Sequence, residues 1–313
     1  MDLAFISLEQ VFIMFIMIIF GFILVKLKLL DISSKKSLSN ILVYLVVPMM
    51  IINSYITTYD NNILNNLLLC FLISFIALII GIILIFIFTI KWKISDKRVL
   101  MFGMMFSNAA YMGFPLIEAM FGSVGLIYAS GFVSVFNILL WTIGYMNVSG
   151  TFNLGVALKS ILKTPVLYAL AIGLIIFFLQ IPIPSIIKTP LSMIGSMNTP
   201  LSMIITGMII ASCNIKEVIK NIYLWLSVVI RIIIVPLIMV GVLFLIKLIF
   251  VNIDLDLLKI VFILEACPCA AITSIFAIKF NYNSDLAAGI VVVSTVLSII
   301  TLPLFTMLIS VII

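Results

Sequence analysis

The chain is 313 residues long, and 65% of them are hydrophobic against only 9% charged. A soluble domain carries about 25% charged residues, so this composition excludes a soluble globule and leaves no space for a catalytic domain outside a membrane. The net charge of +6 then reports orientation in a bilayer rather than nucleic-acid binding.

Apolar runs of about 20 residues cross a hydrocarbon core of about 30 Å as helices. Ten such segments are expected, at 5–25, 36–56, 66–90, 98–122, 125–147, 156–179, 190–212, 218–248, 257–280 and 285–312. The first lacks a basic leader and a small-residue cleavage site, so it is expected as an uncut transmembrane helix. Pro48, Pro165, Pro200, Pro236 and Pro303 fall inside segments, where local kinks accommodate them. Alternate connections hold thirteen Lys or Arg (four before segment 2, four around Lys91–Arg98, then Lys159, Lys163, Lys216, Lys220 and Lys279). The opposite connections hold only Lys188, Lys247 and Lys259. That imbalance predicts a multi-pass protein of the plasma (inner) membrane with both termini extracytoplasmic.

Two polar, proline-bearing stretches interrupt apolar segments: Ser107 to Pro115 in segment 4, and Cys267 to Ala271 in segment 9. They occupy matching places in halves of five segments each, 1–150 and 151–313. A repeat with an odd number of crossings re-enters from the opposite side, so the halves are expected as an inverted repeat. Paired breaks of this kind mark the binding site of secondary transporters. The expected fold is therefore an all-α polytopic membrane protein of ten helices, with helices 4 and 9 broken near 108–115 and 267–271.

Pro115 suits the first turn of a new half-helix, whose free N–H groups and positive dipole end attract anions. The chain after Pro268 and Cys269 presents a second such end, and together they favour a small carboxylate. Asn108 adds an amide donor and Tyr111 a ring and hydroxyl. Glu265, three residues before Pro268, is an intramembrane carboxylate expected either to couple protons or to bond the broken helix. Glu118 is expected to serve the dipole of the helix that starts at Pro115. Arg231, alone among the basic residues well inside a segment, would counter the substrate or Glu265, or snorkel. Asn137 sits where some cation/proton antiporters carry an acid, and no Asp or Glu occurs between Val124 and Lys216, which argues against an aspartate-based sodium/proton antiporter. Ser294 and Thr295 are candidate lining residues, although such hydroxyls commonly bond their own helix.

The stretch from Asn108 to Pro115 resembles the Asn-x-x-x-Met-Gly-x-Pro element of the auxin efflux carrier family, which includes the plant PIN carriers. Pro268 to Asp285, Ser294-Thr295 and Leu302-Pro303 are similar to the closing segments of that family, and Thr199-Pro200-Leu201 with Gly207 to its seventh helix. The resemblance spans nearly the whole chain and is to the bacterial type, without the long central loop of many plant members. It implies a ten-helix inverted repeat whose helices 4 and 9 cross where they unwind, adds Met112 to the expected site, and is consistent with a homodimer. It implies transport of small carboxylates, from dicarboxylates such as malate to auxin. Cys269 stands where plant relatives tend to have Gln.

The expected function is a carrier of small organic anions working by alternating access, with protons as a candidate coupling ion. An uncoupled facilitator and a non-transporting sensor remain open. Enzyme activity is not expected, because zero His and the lack of any phosphate loop or nucleophile–base pair remove the usual schemes. No cofactor is expected. Cys267 and Cys269 flank Pro268 as in some copper pumps, but the chain has no space for a nucleotide-binding domain, so metal is not expected. All four cysteines (Cys70, Cys213, Cys267, Cys269) read as small hydrophobes without disulfides.

Overall fold

A computed structural model describes residues 3–151, 153–250 and 253–313. Its helices are α1 (Leu3–Lys26), α2 (Ser34–Ser54), α3 (Asn61–Thr89), α4 (Lys97–Met105), α5 (Ala109–Ser149), α6 (Leu154–Ile161), α7 (Pro165–Leu179), α8 (Ser185–Gly195), α9 (Asn198–Ser212), α10 (Ile215–Val218), α11 (Ile222–Ile249), α12 (Leu255–Ala266), α13 (Thr273–Lys279) and α14 (Ser284–Ile312). Seven stretches among the described residues are long and apolar enough to cross a bilayer: α1, α2, α3, α5, α8 with α9, α11 and α14. The 41-residue α5 would be twice too long for one crossing, and it bends at Gly122. The backbone of Gly122 (φ 61°, ψ −151°) lies where only glycine is comfortable, so the turn between segments 4 and 5 is written into that residue.

Three differences from the expected segments have local causes. Segment 156–179 is two helices, because Pro165 starts α7 and forces Thr164 into extended backbone (ψ 114°). Segment 190–212 is also two, parted after Gly195, which places Pro200 in a first turn rather than mid-helix. Pro48, Pro115 and Pro236 do not simply kink their helices. Each follows a wide π turn, at Leu42–Val46, Ala109–Gly113 and Ile230–Ile234. A proline clashes with the carbonyl four residues back and cannot bond it, so the turn before it widens.

Helix starts at the ends of the bundle are capped by side chains. The carboxylates of Asp60 and Asp254 and the amide oxygens of Asn153, Asn221 and Asn283 accept N–H groups of the turns that follow, at 2.8–3.0 Å. The connections fall into two sets. Asn66 donates to Tyr128 and Asp254 (3.2 and 2.9 Å) at one end of the bundle. Asp96 accepts from Asn283 N–H (2.8 Å), and Tyr282 donates to the Val148 carbonyl (3.0 Å) at the other. Alternate connections meet, as successive crossings require.

Without a hydrophobic drive between helices in lipid, close backbone packing holds them together. α1 lies on α9 through Gly21 and Gly207, where an added Cβ would stand 2.3 Å from the Ile204 carbonyl oxygen and 2.1 Å from that of Ile18. The second half repeats the pairing in exchange: α7 packs on α2, with Gly173 against the Tyr55 ring. α12 is buried on every side from Ile260 on, which puts the second break at the centre of the bundle. Gly207→Ala is expected to lower stability by about 1–3 kcal/mol through overpacking. Gly241→Ala, where nothing lies within 4 Å of the new atom, should cost nothing. Melting curves in detergent compare the two.

Candidate functional site

Every free backbone group at the two breaks needs a partner, because neither lipid nor apolar protein supplies one. The breaks supply each other. After α4 the chain runs extended through Phe106 (φ −118°, ψ 124°), and after α12 it does so through Cys267 (φ −57°, ψ 151°). Ser107 and Cys269 then face each other in an isolated antiparallel bridge. It is closed by Asn108 N–H on the Pro268 carbonyl (2.8 Å) and Ala270 N–H on the Phe106 carbonyl (2.9 Å). The remaining N–H of Cys269 donates to the Ser294 hydroxyl at 3.1 Å, which itself donates to Val291 on α14.

The last carbonyls of the two half-helices go to one side chain. Arg231, in the π turn of α11, is fully buried. Its Nε donates to the Cys267 carbonyl (3.2 Å), Nη2 to the carbonyls of Cys267 (3.1 Å) and Glu265, and Nη1 to the Met104 carbonyl (3.1 Å) and Glu265 Oε1 (3.0 Å). A guanidinium has five N–H donors, and these five bonds use them all. Arg231 therefore neither snorkels nor points a free charge at a ligand; of the expected roles, it counters Glu265. Glu265 is 1% exposed, and Gly81 of α3 makes room for it, since a Cβ there would lie 3.2 Å from Oε1.

The resumed helix begins at Ala109, not at Pro115. Asn108 stands before it, and its carbonyl accepts Met112 N–H (2.9 Å) and Gly113 N–H (3.3 Å). The free N–H groups of the positive helix end therefore sit beside Asn108 and run toward Tyr111. Pro115 is buried one turn on, and the Tyr111 carbonyl that it cannot serve accepts the Ser202 hydroxyl of α9 at 3.0 Å. Met112 is fully buried in the same turn, and Tyr111 half-buried. Glu118 is correspondingly not a cap: it lies more than two turns into α5, its side chain is exposed, and it makes no hydrogen bond or ion pair among the described residues. Asn137 donates to the Val133 carbonyl of its own helix (2.7 Å), and no hydrogen bond among the described residues joins it to the crossing. Asn108, Pro268, Cys269 and Ser294 are thus brought together, with Tyr111 and Met112 next to them; Glu118 and Asn137 are not.

Beyond these backbone bonds, several side-chain groups stay open. Among the described residues, Ser107 Oγ, Asn108 Nδ2 and Thr295 Oγ1 are buried without a hydrogen-bond partner, as are both amide atoms of Asn198 and Glu265 Oε2. Asn198 stands one turn before Ser202 on the same face of α9, and Ser202 touches the first break. The sequence signal for Asn198 was an amide beside Pro200 at a helix start, which reads equally as a cap.

A family model described as membrane transport protein matches the chain twice, over residues 6–153 and 151–306. The chain belongs to this family, that of the auxin efflux carriers. Each match covers about one half of the chain and contains one break, so the crossing joins the two matched stretches. A protein of Methanothermobacter thermautotrophicus named an uncharacterized transporter is 23% identical over 201 residues. The match spans 64% of each chain, somewhat under two thirds of the relative's length. With its family and its apolar helices, the chain is a multi-pass membrane protein.

Ser294→Ala leaves the Cys269 N–H buried without an acceptor, and the expected loss is about 1–3 kcal/mol. Ser298→Ala removes a hydroxyl that bonds only its own helix and should lose less. Thermal melts of the two purified variants check the difference.

Proposed function

We propose that this protein is a secondary carrier of small organic anions, with the crossing at Ser107 and Cys269 as its substrate site. One observation carries the reading: the side-chain groups left open beside the resumed helix are mainly donors. Asn108 Nδ2, the hydroxyls of Ser107 and Thr295, and the first N–H groups of α5 offer hydrogen bonds to a carboxylate. Asn198 supplies a second donor–acceptor pair one helix away, suited to a second polar function on the substrate. Dicarboxylates such as malate and malonate fit this pattern, as does indole-acetate through its single carboxylate.

Alternating access follows from which bonds cross the bundle. The two breaks, Arg231 and α14 share a network that no rocking of one sequence half against the other leaves intact. The moving bodies are instead the crossing with its supports, and the layer of α1, α2, α7 and α9 locked by Gly21, Gly207 and Gly173. The two meet at α9 and the first break through the Ser202–Tyr111 bond, along α1 and α14 with the Ser7 and Thr306 hydroxyls 3.3 Å apart, and at the end of α2, where Tyr55 bonds Ser130 of α5 (3.0 Å). Protons are the candidate coupling ion, held at Glu265 Oε2. The ten crossings, the inner membrane and extracytoplasmic termini complete the proposal, and the protein acts as a carrier rather than an enzyme.

The test is uptake of labelled malate, malonate and indole-acetate into liposomes, with and without an imposed pH gradient. Gradient-stimulated uptake supports the coupled carrier, and uptake indifferent to it the uncoupled form. Binding of all three without uptake of any would replace the carrier with a sensor. Asn108→Ala is expected to weaken binding about tenfold, the worth of one hydrogen bond of about 1.4 kcal/mol. Unchanged affinity in the folded variant would remove Asn108 from the site.

A further inference from the structure

We infer that the Arg231 guanidinium is a resident replacement for a coupling cation, so that the wild-type crossing works without sodium and removing this side chain opens a cation site. Carriers with discontinuous helices hold sodium with unwound backbone carbonyls and the C-terminal ends of half-helices. The same acceptors converge here. The carbonyls of Met104, ending α4, and of Glu265 and Cys267, ending α12, meet the Glu265 carboxylate around one point. Two half-helix C-termini carry negative dipole ends, and Glu265 adds a full negative charge. Such an all-oxygen, electronegative cage suits a hard monovalent cation. In this protein it is closed by a tethered one: the guanidinium takes the three carbonyls and Glu265 Oε1, and Arg231 is 0% exposed. The positive charge is thus covalently held and needs no sodium gradient. The inference rests on the carrier reading for its transport consequence, but the cage and its occupant stand without it.

The experiment reads stability rather than flux, so it separates this inference from the carrier proposal. Full-length Arg231→Ala, Arg231→Gln, Arg231→Lys and wild type are melted in detergent, in sodium chloride and in choline chloride of equal ionic strength. The neutral variants should gain a saturable rise of about 2 °C or more with sodium, or with low-millimolar methylguanidinium. Wild type and Arg231→Lys, which keep a tethered cation, should gain none. Adding Glu265→Gln to Arg231→Ala should abolish the gain by removing the only charged acceptor of the cage. A folded neutral variant indifferent to both cations would overturn the inference, as would a gain that survives Glu265→Gln. If Arg231→Ala does not fold, Arg231→Gln carries the test. Should neither fold, wild type decides, since saturable stabilisation by sodium there would show a site that Arg231 does not fill.

Discussion

A membrane helix can unwind only where something else takes over its hydrogen bonds, and here that duty converges on Arg231. Its five donors hold the last carbonyls of two half-helices from opposite halves of the chain, together with Glu265. Take the guanidinium away and three buried carbonyls and a carboxylate lose their partner at once. Breaking a buried pair by removing one member costs about 3–5 kcal/mol, because the remaining charge is left uncompensated. The antiparallel bridge closes the other side of the same account, pairing the Asn108 and Ala270 N–H groups as Arg231 pairs carbonyls at the half-helix ends. The breaks are therefore one rigid unit made from two distant segments.

The prolines shape the rest of this region by what they withhold. Pro115 widens the turn from Ala109 to Gly113 and leaves the Tyr111 carbonyl to be served from α9. That one missing N–H explains both the π turn and the link between the crossing and the neighbouring layer. Pro48 and Pro236 follow π turns for the same steric reason, although no partner from another helix takes up their freed carbonyls among the described residues. The turn at Leu140–Gly144 has no proline after it. Gly144 packs there against the rings of Phe106 and Phe102, but nothing in the structure explains the widening itself.

Much of this was legible in the residues. Long apolar runs define where helices lie, and the polar breaks at Asn108 and Pro268 stand out because lipid tolerates so few polar groups. Boundaries inside runs were less legible: the split before Pro165 was written in Lys163-Thr164-Pro165, yet a hydropathy run does not register it. The start of the second half-helix was misplaced at Pro115, since proline in a first helical turn and proline after a π turn share one sequence pattern. Arg231 left its roles open because its partners lie 34, 36 and 127 residues away, and no local rule reaches across that separation. Glu118 was drawn in by its place after Pro115 and Asn137 by its place in segment 5; exposure sets the first apart from the crossing, and a bond to its own helix the second. Asn198 was hidden for the opposite reason, since only its burial distinguishes an unpartnered amide from an ordinary cap.

A fully engaged arginine also decides how an anion can be held. A free guanidinium in a dry site would bind a carboxylate bidentately and strongly, which suits retention more than release. Here Glu265 neutralises that charge, and protein carbonyls take its remaining donors. In the proposed site a substrate would instead meet the partial charge of a helix end, roughly half an elementary charge, with neutral amide and hydroxyl donors. Each contributes about 0.5–1.5 kcal/mol net, so binding arises from several weak bonds that can break in turn. A carrier needs such a site, tight enough to select its substrate and loose enough to let it go on the far side.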